Sequence, residues 1–263
     1  MDLATLIGMI LGLAGLLGGF MLEGGELGML WQVTAFIIVF GGTFGALFIS
    51  FTMDEIKKIP YFLKKVFFNE DVDFMIILDI LVDTADKARR EGLLSLESQL
   101  ATIDNPFLAR GLQLVIDGTD PELTRNMLEM EIEAAETNEG IGHQMFMAMG
   151  GLGPTMGIIG TVMGLVHVLS SLEDPDSLGG SIAVAFIATL YGVASANVLW
   201  IPFATKMKLK TEKQSQLMEM VLEGILSIQA GENPRVIREK LLTFVPPDSR
   251  QTEETASEEQ LGM

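Results

Sequence analysis

Four segments of this chain contain no Asp, Glu, Lys or Arg, and they decide what it can fold into. They are Leu3 to Leu22, Leu30 to Thr52, Met145 to Leu172 and Ser181 to Ala204. Each is about as long as the roughly 20 apolar residues that an α-helix needs to cross a hydrocarbon core. The mean hydropathy is +0.40 although 20% of the residues are charged, so the apolar residues are gathered into blocks. That pattern is read as an all-α membrane protein with four transmembrane helices. Asp2 stands where a signal peptide would carry basic residues, so the first segment is read as a span and not as a cleavable leader.

Charge placement orients the spans. All 17 Lys and Arg fall within Lys57 to Arg125 and Lys206 to Arg250. The connection Glu23, Gly24, Gly25, Glu26 has none, and neither does Glu173, Asp174, Pro175, Asp176. Basic residues stay on the cytoplasmic side, which puts both termini and the segment between spans two and three in the cytoplasm. The expected organisation is spans one and two over 1–53, a helical cytoplasmic insert over 54–144 and spans three and four over 145–204. Cytoplasmic C-terminal helices follow over 205–245, and then a disordered acidic tail over 246–263.

Helix signals punctuate the cytoplasmic parts. Asp73 to Arg90 is expected to be helical, with Gly92 as its stop, and Asn105-Pro106, Asp120-Pro121 and Asn233-Pro234 each read as a start with proline in the first turn. The last of these helices is expected to run through Phe244. Thr211 to Ala230 reads as a separate helix stopped by Gly231, and Pro202 reads as the end of span four.

Several chemistries are excluded. There are no cysteines, which removes disulfides and thiolate metal sites, and the two histidines, His143 and His167, do not make a zinc centre. A net charge of −18 opposes nucleic-acid binding. No span carries a carboxylate, which an ion pathway through a membrane ordinarily needs as relay or counter-charge. The spans offer neutral oxygens instead, from Thr155, Thr161, Ser181, Thr189 and Ser195. If a cation passes, another chain must bring the acid. Small residues recur four apart: Gly8 and Gly12, Gly15 and Gly19, Gly41 and Gly45, Gly153 and Gly157, Gly160 and Gly164, and Ala185 and Thr189. Such stripes allow close helix packing in lipid, and their number points to contacts between subunits as well as within one. Pro154 is expected to kink span three and to free the Gly150 carbonyl.

These residues carry a resemblance. MDLATLIG at the start, ARREGLLSLE at 88–97, GPTMGIIGTVMGLV at 153–166, ATLYG at 188–192, WIPFATK at 200–206 and GENPRVI at 231–237 resemble the MotA/PomA family of flagellar stator subunits, over Met1 to about Pro246. The resemblance implies a pentamer around a dimer of a single-span MotB/PomB-like B subunit, which carries the ion-binding aspartate. It implies torque on the rotor switch protein FliG, with no bond made or broken, so no enzyme and no cofactor beyond the transported Na+ or H+. It implies that Pro154 and Pro202 are channel prolines, and that Arg89 and Glu97, eight residues apart, touch the rotor, with Arg90 as the alternative register. Thr161 in GTxxGL, and TLYG in place of TLLG, resemble sodium-type members, which makes Thr161 a transient sodium ligand. Thr189 is similar in both ion types. Two other readings are kept: an ExbB/TolQ-like subunit that energises outer-membrane transport, expected to have three spans, and a membrane scaffold that conducts nothing.

Overall fold

The computed structural model describes residues 2–68, 73–170 and 175–247. Every regular element among them is helical. Four helices are long and apolar enough to cross a membrane: Leu3–Leu22, Val33–Ser50, Pro121–Ser170 and Leu178–Gln229. The chain divides into two compact units, Met1–Glu70 with Glu139–Leu209, and Asp71–Asn138 with Lys210–Met263.

In the first unit, α1 (Leu3–Leu22) has the expected span bounds. The Asp2 carboxylate caps it, accepting from the Thr5 amide at 3.3 Å, and also pairs with Lys206. α1 is apolar all round, and none of its residues is buried within the chain. A helix of that kind covers its surface with lipid or with another chain. α2 (Val33–Ser50) contains a π-helical turn at Ile37–Gly41. A capping box at Thr52 and Glu55 starts the next turn, and a short amphipathic helix, α3 (Ile59–Phe67), follows. α3 buries Phe62 and Val66 against Leu47, Phe146, Phe203 and Met207. Its Lys65 is also buried and lies 3.0 Å from Glu139, which accepts a 2.7 Å hydrogen bond from the Tyr61 hydroxyl. A charge can remain inside because it is paired.

The second unit is built on α4 (Phe74–Glu91), α5 (Pro106–Ile116) and α8 (Pro234–Leu242). Its core takes Phe74, Leu78, Leu81 and Ala85 from α4, spaced by four, three and four as one helical face requires. Leu108, Leu112, Leu128, Ile225, Ile237 and Leu241 complete it. Gly224 has no room for a side chain, since an added Cβ would lie 2.8 Å from Leu81 Cδ1. Asp73, Asn105 and Asn233 cap the three helices, each accepting a backbone hydrogen bond. Gly92, at φ +86°, ends α4 in a conformation that other residues rarely adopt.

One expectation needs correction, and two helices run on across the expected segment boundaries. α6 runs unbroken from Pro121 to Ser170, through the end of the expected insert, all of span three to Ser170, and Pro154. α7 runs from Pro175 to Ser195, through a π-helical turn at Ala196–Trp200, and on from Ile201 to Gln229. Pro202 therefore does not end the helix. Proline removes one intrahelical amide donor, and a π turn immediately before it lets the ladder re-register instead of stopping. Smaller differences are confined to ends: α8 stops at Leu242, and residues 243–244 form a turn. Most of the tail expected over 246–263, and residues 171–174 of the second acidic connection, lie outside the described residues.

Candidate ion-pathway site

The apolar parts of α6 and α7 meet through small residues. A Cβ added at Gly157 would lie 2.9 Å from the Ala188 carbonyl oxygen and 3.1 Å from Thr189 Cα. One added at Gly192 would lie 2.4 Å from the Gly153 carbonyl oxygen and 3.1 Å from Pro154 Cα, while Gly164 faces Ala185 at 2.7 Å. The two backbones touch along this line, as lipid-embedded helices with small residues do. The glycines of α1 differ. Only Gly12 has a neighbour, with an added Cβ 3.3 Å from Val198, whereas Gly8, Gly15 and Gly19 face open space.

Close backbone approach brings four oxygens together. The Thr161 hydroxyl lies 3.1 Å from the Gly157 carbonyl of its own helix and 2.9 Å from the Ala185 carbonyl of α7. It is also in hydrogen-bond contact with the Thr189 hydroxyl, which lies 3.5 Å from the same Gly157 oxygen. The two hydroxyls supply two hydrogens, too few for every contact at once. The cluster is thus rich in neutral acceptors and half-buried, with oxygen chemistry that suits a hard cation. No charged group stands in it.

The other expected residues lie elsewhere. Pro154 is half-buried, and its Cα forms part of the wall that leaves no room at Gly192. Thr155 is exposed and donates back to the Leu152 carbonyl at 2.8 Å. Pro202 is exposed and lines a cleft of about 380 Å³ with Gly8, Gly12 and Asn197, apart from the threonine pair. Buried Ser195 donates to the Gly192 carbonyl at 3.1 Å. His143 hydrogen-bonds the Ala204 carbonyl at 2.9 Å, and His167 is exposed. In the second unit Arg89, Arg90 and Glu97 are all exposed; Arg90 pairs with Asp86 at 2.6 Å. Among the described residues Arg89 and Glu97 form no ion pair.

Sequence reasoning did not anticipate two features. The Ala185 carbonyl joins the cluster although no side chain marks it; the facing Gly164 and Ala185 are its only trace in the sequence. Tyr191, part of ATLYG, donates to the Leu30 carbonyl, and its oxygen accepts from the Gln32 amide at 3.2 Å, pinning the start of α2 to α7.

Comparison with known proteins supplies the family. Residues 6–92 match the "Motility protein A N-terminal" family and residues 99–220 the "MotA/TolQ/ExbB proton channel family". Motility protein A of Borreliella burgdorferi is 39% identical over 250 residues, 95% of this chain and 96% of that protein. The chain is similar to the C. jejuni MotAB structure at a TM-score of 0.89 and 31% identity, covering 94% of this chain and 97% of that one. It is also similar to the flagellar MotAB stator complex of Bacillus subtilis, at 0.86 and 38%, covering 94% and 98%. The four apolar helices, their glycine-lined contact and these near full-length matches lead to one conclusion: the chain belongs to the MotA/PomA family of flagellar stator subunits, which are membrane ion-channel components and not enzymes.

Proposed function

We propose that this subunit conducts cations across the inner membrane together with a single-span B-type subunit and converts that flow into torque on a rotor. One observation carries the proposal: the Thr161–Thr189 oxygen cluster sits between two packed spans that contain no carboxylate. Such a site can replace part of an ion's hydration shell but cannot balance its charge, so a partner's acid completes it. Both similar structures are complexes of an A with a B protein, which supports that partner. The open glycine face of α1 supports further subunit contacts, in keeping with a homopentamer around a B dimer. Where that face meets no protein, it meets lipid.

In this reading both termini, the 54–144 insert and the 205–245 helices are cytoplasmic, and Arg89, Arg90 and Glu97 engage FliG. The basis is the confinement of Lys and Arg to two regions, and the exposure of these three side chains on the second unit. The ion is sodium. A hydroxyl at 161 supplies an oxygen ligand that a small apolar side chain lacks, while a proton needs only the partner's acid. Pro154 shapes the pathway by its missing amide, and Thr155 and Pro202 flank it. Four membrane-crossing candidates and the match over 6–92 favour this reading over an ExbB/TolQ-like role.

The test is sodium uptake into cells expressing this chain alone, the B subunit alone, or both. Uptake is expected only with both. A periplasmic reporter fused after Arg125 is expected to be silent; an active one would overturn the topology.

A further inference from the structure

The stretch Ile56 to Phe68 carries four lysines and no acid, in a chain of net charge −18. Only the turn capped by Thr52 and Glu55 separates α3 from the end of α2, so α3 lies where that span leaves the hydrocarbon. Its inner face is engaged: Phe62 and Val66 are buried, and buried Lys65 pairs with Glu139. Its outer face is open within the chain. Lys57, Tyr61, Lys64 and Phe68, spaced by four, three and four, are all exposed, and both aromatic rings are 47% exposed. Ile49 on α2 and Met53 just after it are 89% and 57% exposed beside them. The nearest acids are engaged. Asp54 pairs with Lys57 at 3.1 Å, and Glu55 accepts from the Thr52 amide and hydroxyl at 2.7 and 2.8 Å. Glu70 and Asp71, the next acids along the chain, lie outside the described residues. Lys58 and Lys64 are exposed, and among the described residues neither forms an ion pair.

We infer that the outer face of α3 binds the headgroups of anionic phospholipids, with Lys57, Lys58 and Lys64 against the phosphates and Tyr61 and Phe68 at the level of the glycerol. Charge complementarity selects this occupant. Lysine near a membrane surface gains from anionic headgroups, and aromatic rings settle at the boundary between headgroup and hydrocarbon. Ile49, bare and aliphatic, stands beside the lysines, and a lipid answers both with one molecule: a phosphate for the ammonium groups and an acyl chain for the isoleucine. The contact reaches the ion pathway through packing. Phe62 and Val66 of α3 rest on Phe146 of α6 and on Phe203 and Met207 of α7, the two helices that carry the threonine cluster. Lipid held on the outer face of α3 therefore braces the ends of both. The inference rests on α2 crossing the membrane and is independent of which ion passes.

The test uses the full chain co-purified with the B subunit in detergent. Phosphatidylglycerol or phosphatidylcholine is added, and bound lipid is counted by native mass spectrometry. The parent is expected to retain phosphatidylglycerol in preference to phosphatidylcholine, and inorganic phosphate is expected not to compete. Retention is expected to fall about fivefold for each lysine lost in a chain carrying Lys57→Gln, Lys58→Gln and Lys64→Gln. The matching Lys→Arg chain is expected to keep it, as is a control with the same charge change in the second unit, Lys87→Gln, Arg110→Gln and Arg235→Gln. A photoreactive phosphatidylglycerol is expected to label the 57–68 segment. The melting temperature of the parent is expected to rise with phosphatidylglycerol and that of the triple Lys→Gln chain to stay unchanged. Equal retention of the two lipids by the parent would overturn the inference, as would equal loss in the control chain. A photoreactive group at position 61 that labels protein in place of lipid would overturn it too, because another chain would then cover the face.

Discussion

The hydroxyls of Thr161 and Thr189, 28 residues apart in sequence, are hydrogen-bonded to each other across the contact of α6 with α7. The bond exists because Gly157 and Gly164 let the helices approach to backbone contact, so it reports on packing as well as chemistry. Thr161→Ala removes one hydroxyl and leaves the Ala185 carbonyl without that donor. Interhelical hydrogen bonds in membranes average about 0.6 kcal/mol, so insertion and assembly are expected to survive. Sodium-driven rotation is expected to be lost in the alanine variant and kept in Thr161→Ser. Swimming speed against sodium concentration, at fixed pH and membrane potential, decides. Parental speed that ignores sodium would make the site a proton-type one.

Gly192 and Gly15 test where the small-residue stripes are used. A Cβ at Gly192 would sit 2.4 Å from a backbone oxygen that cannot move without its helix. Gly192→Ala is expected to destabilise the subunit by about 1–3 kcal/mol, the usual range for overpacking, and to abolish motility. Gly15 has nothing within 4 Å in its own chain. Gly15→Ala is therefore expected to leave the isolated subunit's melting temperature unchanged, and any loss of assembly in it reads a contact with another chain. A lowered melting temperature for Gly15→Ala would count against the open face described for α1.

Glu223 and Lys240 pair inside the second unit, with Arg125 close to the same carboxylate. The hydrogen bond from Lys240 holds Glu223 below the ordinary carboxylate value, and Glu223 in turn raises Lys240 above the ordinary lysine value. A depressed carboxylate stabilises the fold above its unfolded pKa, and this is lost as pH falls through the lower folded value. A raised lysine stabilises below its unfolded pKa, and this is lost as pH rises through the higher folded value. The pair thus contributes fully between the two ordinary values. Both groups are partly exposed, so the contribution is about 1 kcal/mol or less. Glu223→Gln is expected to lower the melting temperature by a few degrees at neutral pH and by less at pH 3. Equal losses at both would show that packing, not charge, is responsible.

Arg89 and Glu97 stand exposed on either side of the Gly92 turn, and neither has an ion pair among the described residues to hold it in place. Reversing both charges (Arg89→Glu with Glu97→Lys) is expected to abolish swimming while sodium uptake stays normal. Exposed pairs act mainly through steering and register. Unaltered swimming would remove these residues from the rotor contact. Compensation by a reversed charge on FliG would assign each to its partner.

Local signals were legible and long-range register was not. Asp73, Asn105, Asn233, Gly92 and Gly231 mark helix ends because capping and positive φ depend on one residue and its near neighbours. The charge-free run from Leu3 to Leu22 likewise became α1 without change. What failed was the reading of Pro202 as a stop, because a π turn at Ala196–Trp200 absorbs the missing donor, and π turns have no compositional mark. The continuity of α6 through residue 144 escaped for a related reason: composition changes there from acidic to apolar, but nothing breaks the helix. Thr161 and Thr189 could each be named as oxygen donors. Their meeting, and the bond from Thr161 to the Ala185 carbonyl, depends on which turn of α6 faces which turn of α7.

Pro154 joins stability to function most directly. It lies inside a helix of 50 residues that continues past it on both sides. An interior proline costs a helix about 3 kcal/mol or more in water, less where neighbouring helices re-satisfy the freed carbonyl. Alanine would restore the amide and the bond to the Gly150 carbonyl. On that ground Pro154→Ala is expected to raise the melting temperature of the purified subunit or leave it unchanged. The same change is expected to alter α6 where Pro154 meets Gly192, one turn before the Gly157–Ala188 contact, and so to shift Thr161 against Thr189. Swimming is then expected to fall to near zero with normal membrane abundance and normal B-subunit binding. A lower melting temperature with lost swimming would mean that the ring is needed only as filling against Gly192. Near-parental swimming would mean that the proline is tolerated and unused. Only a chain at least as stable as the parent, and unable to turn the motor, shows that the missing hydrogen bond is retained for the pathway.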